Sequence, residues 1–431
     1  MSDKIKHVSA SSIAAFKCCP TKYRIAYVEA LRPAVDAEPL RLGTAWHRGL
    51  EILSMPTGAF INEPYTDPPR ETTITEENRL EIAVREATAI YDTVPDWADP
   101  TDWAVEREVI ANALAAYHWL YPQGMSEYET VATELEFELP LRNPETGHST
   151  PNFVRVGKID RIIRSKATGA ILIQENKTTG KGIDSGSSYW DRLRKDTQSK
   201  FYIQAARDLQ TSGGCEQMPM ALKDTDIPLP FVAGLLHDVF HKPTIRPSKL
   251  TQGESAEFVR TGDYCGQHFV VVQSYPISHV VPGGTVSIPV TSLSVDGVLA
   301  EVELGAEPKP TKKDPNPAQK FAVRETPAMY GARLLQDITQ RPEFYFARRE
   351  IAFTDAELKN FEYQVWALQR NMAEMERTGF YYENEQQCEA TFKCPYCVLC
   401  YQNVDVYHGQ TPPGFKRLHV EEAEQTEATV E

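Results

Sequence analysis

No run of apolar residues in this 431-residue chain approaches the roughly 18–20 that a membrane-spanning helix needs. The opening stretch MSDKIKHVSASSIAAFKCCP has neither the long apolar core nor the small-residue cleavage site of a secretory signal. A cytoplasmic location, in a bacterium or a phage-infected host cell and without a membrane partner, is therefore expected. Positive charge is in deficit: 45 Lys and Arg stand against 60 Asp and Glu, a net charge of −15, which excludes a protein that coats nucleic acid indiscriminately. Cysteine is sparse, with 8 residues. In a reducing compartment these thiols point to metal or redox chemistry before disulfides. No internal repeat is visible. TTGKGI lacks both the leading glycine and the Ser/Thr of a phosphate-binding P-loop, so no nucleotide-hydrolysing motor of that type is present.

What positive charge there is gathers in one place. Residues 158–207 hold 11 Lys or Arg against 5 Asp or Glu; a solvated helix face over 191–207 and a basic cleft both fit that balance. Apolar periodicity predicts helix over 9–31, a short helix at LGTAWHRGLE with Gly43 at its start, a helix-rich stretch over 75–121, and a return to helix over 191–211. TVATELEFELPL, NFVRVGKIDRIIRS, AILIQENK and PFVAGLLHDVFH read as strands of one sheet. Residues 248–320 mix short β-like runs with the Pro- and Lys-rich EPKPTKKDPNPAQK, an inserted flap ending in a linker. TDAE predicts a capping box from Thr354 to Glu357, followed by a core stripe of Leu358, Phe361, Val365, Leu368 and Met372. EEAEQTEATVE ends the chain as an acidic, disordered tail.

AILIQENKTTGK sets Glu175 and Lys177 two residues apart at the end of a buried strand, on one face. A hairpin turning at Ala167 and Thr168 places Asp160 directly opposite Glu175. Opposed Cβ atoms lie about 4.5–5.5 Å apart, and two carboxylates that close repel unless a cation sits between them. One reading is a surface hairpin with a simple charge pair. The other, favoured by the apolar runs that bury both strands, is a site for hard Mg²⁺, with Lys177 helping to orient an attacking water.

With Asp on one strand and Glu-x-Lys on the next, these residues resemble the PD-(D/E)XK nuclease superfamily. LRLGTAWHRGLE is similar to that family's Gly-x-x-x-His helix, and QSKFY matches the Gln-x-x-x-Tyr motif of its RecB-like branch. AAFKCCPTKYRIAY resembles the same branch's Cys-Pro opening. The resemblance implies an α/β fold: a restriction-endonuclease-like core, its mixed central sheet flanked by helices, with a helical N-terminal region and a β-rich insertion. The divisions expected are 1–130, a nuclease core over 131–247, the insertion and linker over 248–320, C-terminal helices with a cysteine cluster over 321–403, and the tail over 404–431. It implies His47, Asp160, Glu175 and Asn176 (through its carbonyl) as ligands of Mg²⁺ or Mn²⁺. Lys177 becomes the catalytic companion, and Gln198 and Tyr202 face the cleft. Arg192, Arg194 and Lys195 are candidate phosphate contacts.

QQCEATFKCPYCVLCYQN places Cys388, Cys394, Cys397 and Cys400 within a short span. A zinc knuckle of these four thiols and an iron–sulfur cluster both suit the spacing. The resemblance implies a [4Fe–4S] cluster on Cys19, Cys388, Cys394 and Cys400, with Cys18 and Cys397 as competing thiols and Cys215 and Cys265 as ordinary residues. Such a cluster would staple the two ends of the chain together. The chain is thus expected to be a metal-dependent DNA exonuclease, similar to stand-alone phage-type RecB-like enzymes and to CRISPR-associated and AddB-type nuclease domains. Its expected setting is recombination, repair or phage DNA processing, acting on single-stranded DNA or free ends beside a helicase or recombination protein. A nucleic-acid-binding recombination partner with little catalysis, and a zinc-organised structural protein, are the alternatives.

Overall fold

The computed structural model of the protein describes residues 6–35, 37–63, 70–122, 127–211, 232–274, 278–281, 284–287, 292–306, 320–390, 393–404, 406 and 411–418. Cys215, most of the Pro/Lys linker and all of EEAEQTEATVE lie outside these residues.

A mixed six-stranded sheet forms the centre. Its strands are β1 (Lys6–Val8), β2 (Tyr128–Arg142), β3 (Ser149–Ser165), β4 (Ile171–Thr179), β5 (Gly234–His241) and β6 (Phe346–Ile351). β2, β3 and β4 run antiparallel in succession, β5 is parallel to β4, and β6 closes the edge antiparallel to β5. A parallel pair needs a crossover; between β4 and β5 the described part is helices α5 (Ser188–Leu193) and α6 (Thr197–Thr211). The helix expected over 191–211 is therefore two helices, broken at Arg194–Asp196.

β3 is longer than its neighbours and is shared. β2 follows one edge along its length, while β1 and β4 divide the other edge between them. β1 pairs with Phe153–Arg155 and β4 with Arg161–Arg164, so the stretch between them has no strand partner on that side. Asp160 sits in this gap.

One face of the sheet is covered by α1 (Ala10–Cys18), α6 and α9 (Asp355–Thr378), with Ile13, Phe16, Ile162, Ile173, Phe201, Leu235, Phe361 and Val365 in its core. The α9 capping box forms as expected: Glu357 N–H donates to Thr354 Oγ1 at 3.2 Å and Thr354 N–H to Glu357 Oε2 at 2.9 Å. The other face carries α2 (Glu38–Ser54), α3 (Arg79–Thr88), α4 (Pro100–Leu120) and α8 (Pro327–Gln340). Trp46 anchors it, stacked on Phe240 with 4.6 Å between ring centroids. α2 corrects the expected short helix: it starts at Glu38 with Pro39 in its first turn, which leaves Gly43 in the interior rather than at the start.

Between β5 and α8, α7 (Gln252–Thr261) packs with small antiparallel sheets around Leu250, Phe258, Phe269, Leu293 and Val295. At the chain ends, residues 415–417 pair with 31–33, and Ile25, Leu31, Tyr396 and Leu399 share a core, so strand pairing and apolar packing hold N- and C-terminal segments together.

Candidate metal and nuclease site

The β3–β4 register is the one expected from the turn: Arg161 faces Gln174 and Ile162 faces Ile173. One step further the ladder ends. Asp160 turns its carboxylate across the gap, and Oδ2 accepts from the Asn176 backbone N–H and from the Asn176 side-chain amide, each at 3.3 Å. His47, on α2, approaches from the opposite layer with Nδ1 3.3 Å from the same oxygen. Burial alone would lower the pKa of His47; the charge and hydrogen bond of Asp160, then the charge of Glu175, raise it overall. Asp160 moves the other way. Burial pushes it up, but His47, the Asn176 N–H and Lys177 outweigh that and hold it below the usual carboxylate range.

Glu175 is fully buried. Neither of its oxygens accepts a well-aligned hydrogen bond, and the one ion pair is with Lys177, whose Nζ lies 2.9 Å from Oε1. Burial, only partly offset by Lys177 and reinforced by Asp160, pushes its pKa to about 8. Lys177 is held from the other side by Gln198, whose Oε1 accepts from Nζ. The simple charge pair set aside in the sequence reading is thus present.

Tyr202 lies one turn deeper on α6, packed edge-on against Phe137. A Cβ on Gly157 would fall 2.7 Å from Phe137 and 3.1 Å from the Tyr202 ring, so glycine is required where β3 passes beneath this pair. Arg192, Arg194 and Lys195 are exposed at the end of α5 and the turn after it, with Arg194 3.9 Å from Glu357.

Nothing in the sequence singles out Glu134, one acidic residue of the alternating strand TVATELEFELPL. It lies on β2 between the residues that pair with Ile159 and Arg161, in the left-handed region at φ 51°, a conformation that costs a residue with a Cβ about 1–2 kcal/mol. It forms an ion pair with Lys158. Burial, with Glu51 and Asp160 adding to it, pushes its pKa to about 7 despite Lys158. Only the unusual backbone marks it, and a propensity reading does not see backbone angles.

Cys19 lies in extended backbone between α1 and the turn Pro20–Tyr23. Asn384 N–H donates to its sulfur at 3.4 Å, and the Asn384 amide to the Cys18 carbonyl at 2.9 Å, which brings the N-terminal thiols to the C-terminal ones. Burial first, then Glu383 and the charges of Cys394, Cys19 and Cys388, push Cys400 to about 11. Cys388 and Cys394 are raised as well, by burial and by other thiols of the group. Cys397 is buried, whereas Cys18 directs its thiol at Gln387 Oε1, 4.0 Å away. Cys265 stands apart on the inserted segment, packed against its core.

Among the described residues no three His, Cys, Asp or Glu side chains stand arranged as a ready metal cage, here or at Asp160. The donor set at Asp160 nonetheless fits a divalent cation: two carboxylates and an imidazole converge, and Glu175 is buried with its hydrogen-bonding capacity unmet, a cost of about 1–3 kcal/mol or more for a charged group. The mixed α/β sheet with its flanking helices is the fold of a class of metal-dependent nucleases that act on DNA, and a family match places the chain in it. The chain belongs to the PD-(D/E)XK nuclease superfamily, whose family model matches residues 7–401. No curated protein matches the chain. No helix among the described residues is long and apolar enough to cross a membrane.

Proposed function

We propose that the protein is a Mg²⁺- or Mn²⁺-dependent DNA exonuclease of the RecB-like branch, working in recombination, repair or phage DNA processing. The observation that carries this reading is Glu175, a buried carboxylate with an ammonium on one oxygen and no hydrogen bond on the other. His47, Asp160, Glu175 and the Asn176 carbonyl would hold the cation, which supplies positive charge beside the scissile phosphate and acidifies a water. A ligating imidazole must be unprotonated, and Asp160 and Glu175 raise the pKa of His47, so cation affinity rises with pH. Lys177, fixed between Glu175 and Gln198, presents its ammonium to the attacking water and to the negative charge that grows on the phosphoryl oxygens. The water oxygen bonds to phosphorus, one P–O ester bond breaks, and the leaving oxygen takes up a proton. Arg192, Arg194 and Lys195 contact phosphates outside the cleft and read no sequence.

The N-terminal contacts to residues 382–384 support a structural [4Fe–4S] cluster on Cys19, Cys388, Cys394 and Cys400, with zinc as the alternative metal. With no motor motif in the chain, strand separation falls to a helicase or recombination partner, or the substrate already has a single-stranded end. The test is incubation with end-labelled linear and covalently closed circular DNA, single- and double-stranded, in Mg²⁺ or Mn²⁺. Linear DNA is expected to shorten while circles survive. Cleaved circles would remove the exonuclease assignment, and inert wild-type protein would remove the nuclease itself.

A further inference from the structure

On the sheet face covered by α2 and α4, a cavity of about 320 Å³ opens beside Asn176, and the reaction above does not use it. Arg161, Lys166 and Arg348 line it together with Tyr117, Tyr121 and Tyr128. The carboxylate in its wall is Glu129, 60 % exposed and turned to Arg164 at 3.8 Å. Arg348 is already committed: its Nε donates to Asp238 at 2.8 Å, its Nη2 to the Tyr117 hydroxyl at 2.7 Å, and its plane lies 3.6 Å from the Tyr121 ring centre.

Arg161 is different. Its Nε and Nη2 donate to Thr130 Oγ1 and its Nη1 to Gln174 Oε1 at 3.1 Å, all neutral acceptors. Among the described residues Arg161 is in no ion pair; the charge of Asp238, which is bonded to Arg348 and Gln174, reaches it only from further off. A guanidinium has five N–H groups; those left over sit on the two terminal nitrogens, the pair that forks onto a phosphate. Lys166, exposed at the mouth, is likewise in no ion pair among the described residues. The cavity is coupled to the site by a chain of amides. Gln174, which holds Arg161, donates to Asn176 Oδ1 at 3.2 Å, and Asn176 donates to Asp160.

We propose that this cavity receives the phosphorylated terminal nucleotide of a DNA strand. Its phosphate monoester bonds to Arg161 and Lys166, its sugar and base lie against the tyrosines, and the adjoining phosphodiester approaches Asp160 at the gap in β3, beside Asn176. A monoester carries up to two negative charges where a strand-interior diester carries one. Two cations in no ion pair among the described residues therefore select a phosphorylated end over a hydroxyl end and over the strand interior. This inference rests on the nuclease reading for its second half, the placement of the scissile bond.

Fluorescence anisotropy in the absence of divalent cations, on the full chain, tests the first half without requiring catalysis. The probes are single-stranded oligonucleotides bearing phosphate or hydroxyl at the 5′ or the 3′ end, with nucleoside monophosphates as competitors. One phosphorylated end is expected to bind about tenfold or more tighter than its hydroxyl counterpart, the scale of one charge-assisted contact. Arg161→Gln and Lys166→Gln are each expected to collapse that difference. Arg161 also braces Thr130 and Gln174, so the exposed Lys166 provides the variant least able to disturb folding. Equal affinity for all ends, or discrimination that survives both substitutions, would overturn the proposal. So would a free mononucleotide that competes on equal terms with the DNA end. Discrimination by a protein that cleaves nothing would leave the cavity assigned and the nuclease reading lost. Cleavage without discrimination would do the reverse.

Discussion

Lys177 and Glu175, two residues apart on β4, form an ion pair with 2.9 Å between Nζ and Oε1. The Lys177 side chain stands against one buried acid as the His47 ring stands against Asp160. Both pairs must loosen if the proposed divalent cation is to sit between the acids. Lys177→Ala removes the group proposed to act on the reacting phosphate. Cleavage is expected to fall by about 10²–10³-fold, the range for loss of one pre-organised charge-stabilising group, with little change in DNA affinity. Single-turnover rates and anisotropy on the same substrate check this. An equal loss in both would make Lys177 a DNA-holding residue only.

Burial, with the charge of Lys177 adding to it and Asp196 opposing, drives His237 down from 6.5 to about 3; its Nε2 lies 3.3 Å from Ser199 Oγ. The folded pKa lies below the unfolded one, so as pH falls the unfolded chain takes up the proton first. Stability from this residue is complete above 6.5 and is lost between 6.5 and 3. The slope is expected to approach about 1.4 kcal/mol per pH unit in that window. Urea midpoints at neutral and mildly acidic pH should converge for His237→Gln. Identical slopes in wild type and variant would refute the assignment.

Asp238 is 2 % exposed and shares Arg348 with Tyr117. Arg348→Met leaves that carboxylate with the Tyr117 hydroxyl and the Gln174 amide alone. The expected cost is about 3–5 kcal/mol, the usual penalty for orphaning a buried charge, read as a lower denaturation midpoint. Adding Asp238→Asn should recover part of it. A single variant as stable as wild type would show the pair to be dispensable.

Anaerobically purified protein is expected to be coloured and to contain iron and sulfide, and Ser at Cys19, Cys388, Cys394 or Cys400 is expected to abolish both. Cys18→Ser, whose thiol is directed at Gln387, should keep them. Metal analysis and visible absorbance decide this, and colourless protein with stoichiometric zinc would replace the cluster with a zinc site.

Much of the sheet was legible because a tight turn dictates register: Ala167 and Thr168 leave one pairing for Arg161–Arg164, and alternation does the rest. The α9 stripe and capping box were equally local. What escaped was set by tertiary context. The start of α2 depends on Pro39 and on packing against β4 rather than on the glycine that its sequence displays. The break at Arg194–Asp196 interrupts an unbroken helical pattern. At the site, one-dimensional spacing aligned Asp160 with Glu175 but concealed the gap in the β3 edge, and with it Glu134 and the Asn176 bonds to Asp160.

β1 and the part of β3 that it pairs with are separated by about 150 residues of chain, and closing so large a loop is slow. At 5–20 residues per second, a growing chain holds β1 without a partner for roughly 7–30 s. Until β3 has been synthesised, the wall on one side of the Asp160 gap does not exist. The cleft therefore cannot begin to form until about a third of the chain has been made, and its first strand spends that interval as an open edge that has to be kept from other chains.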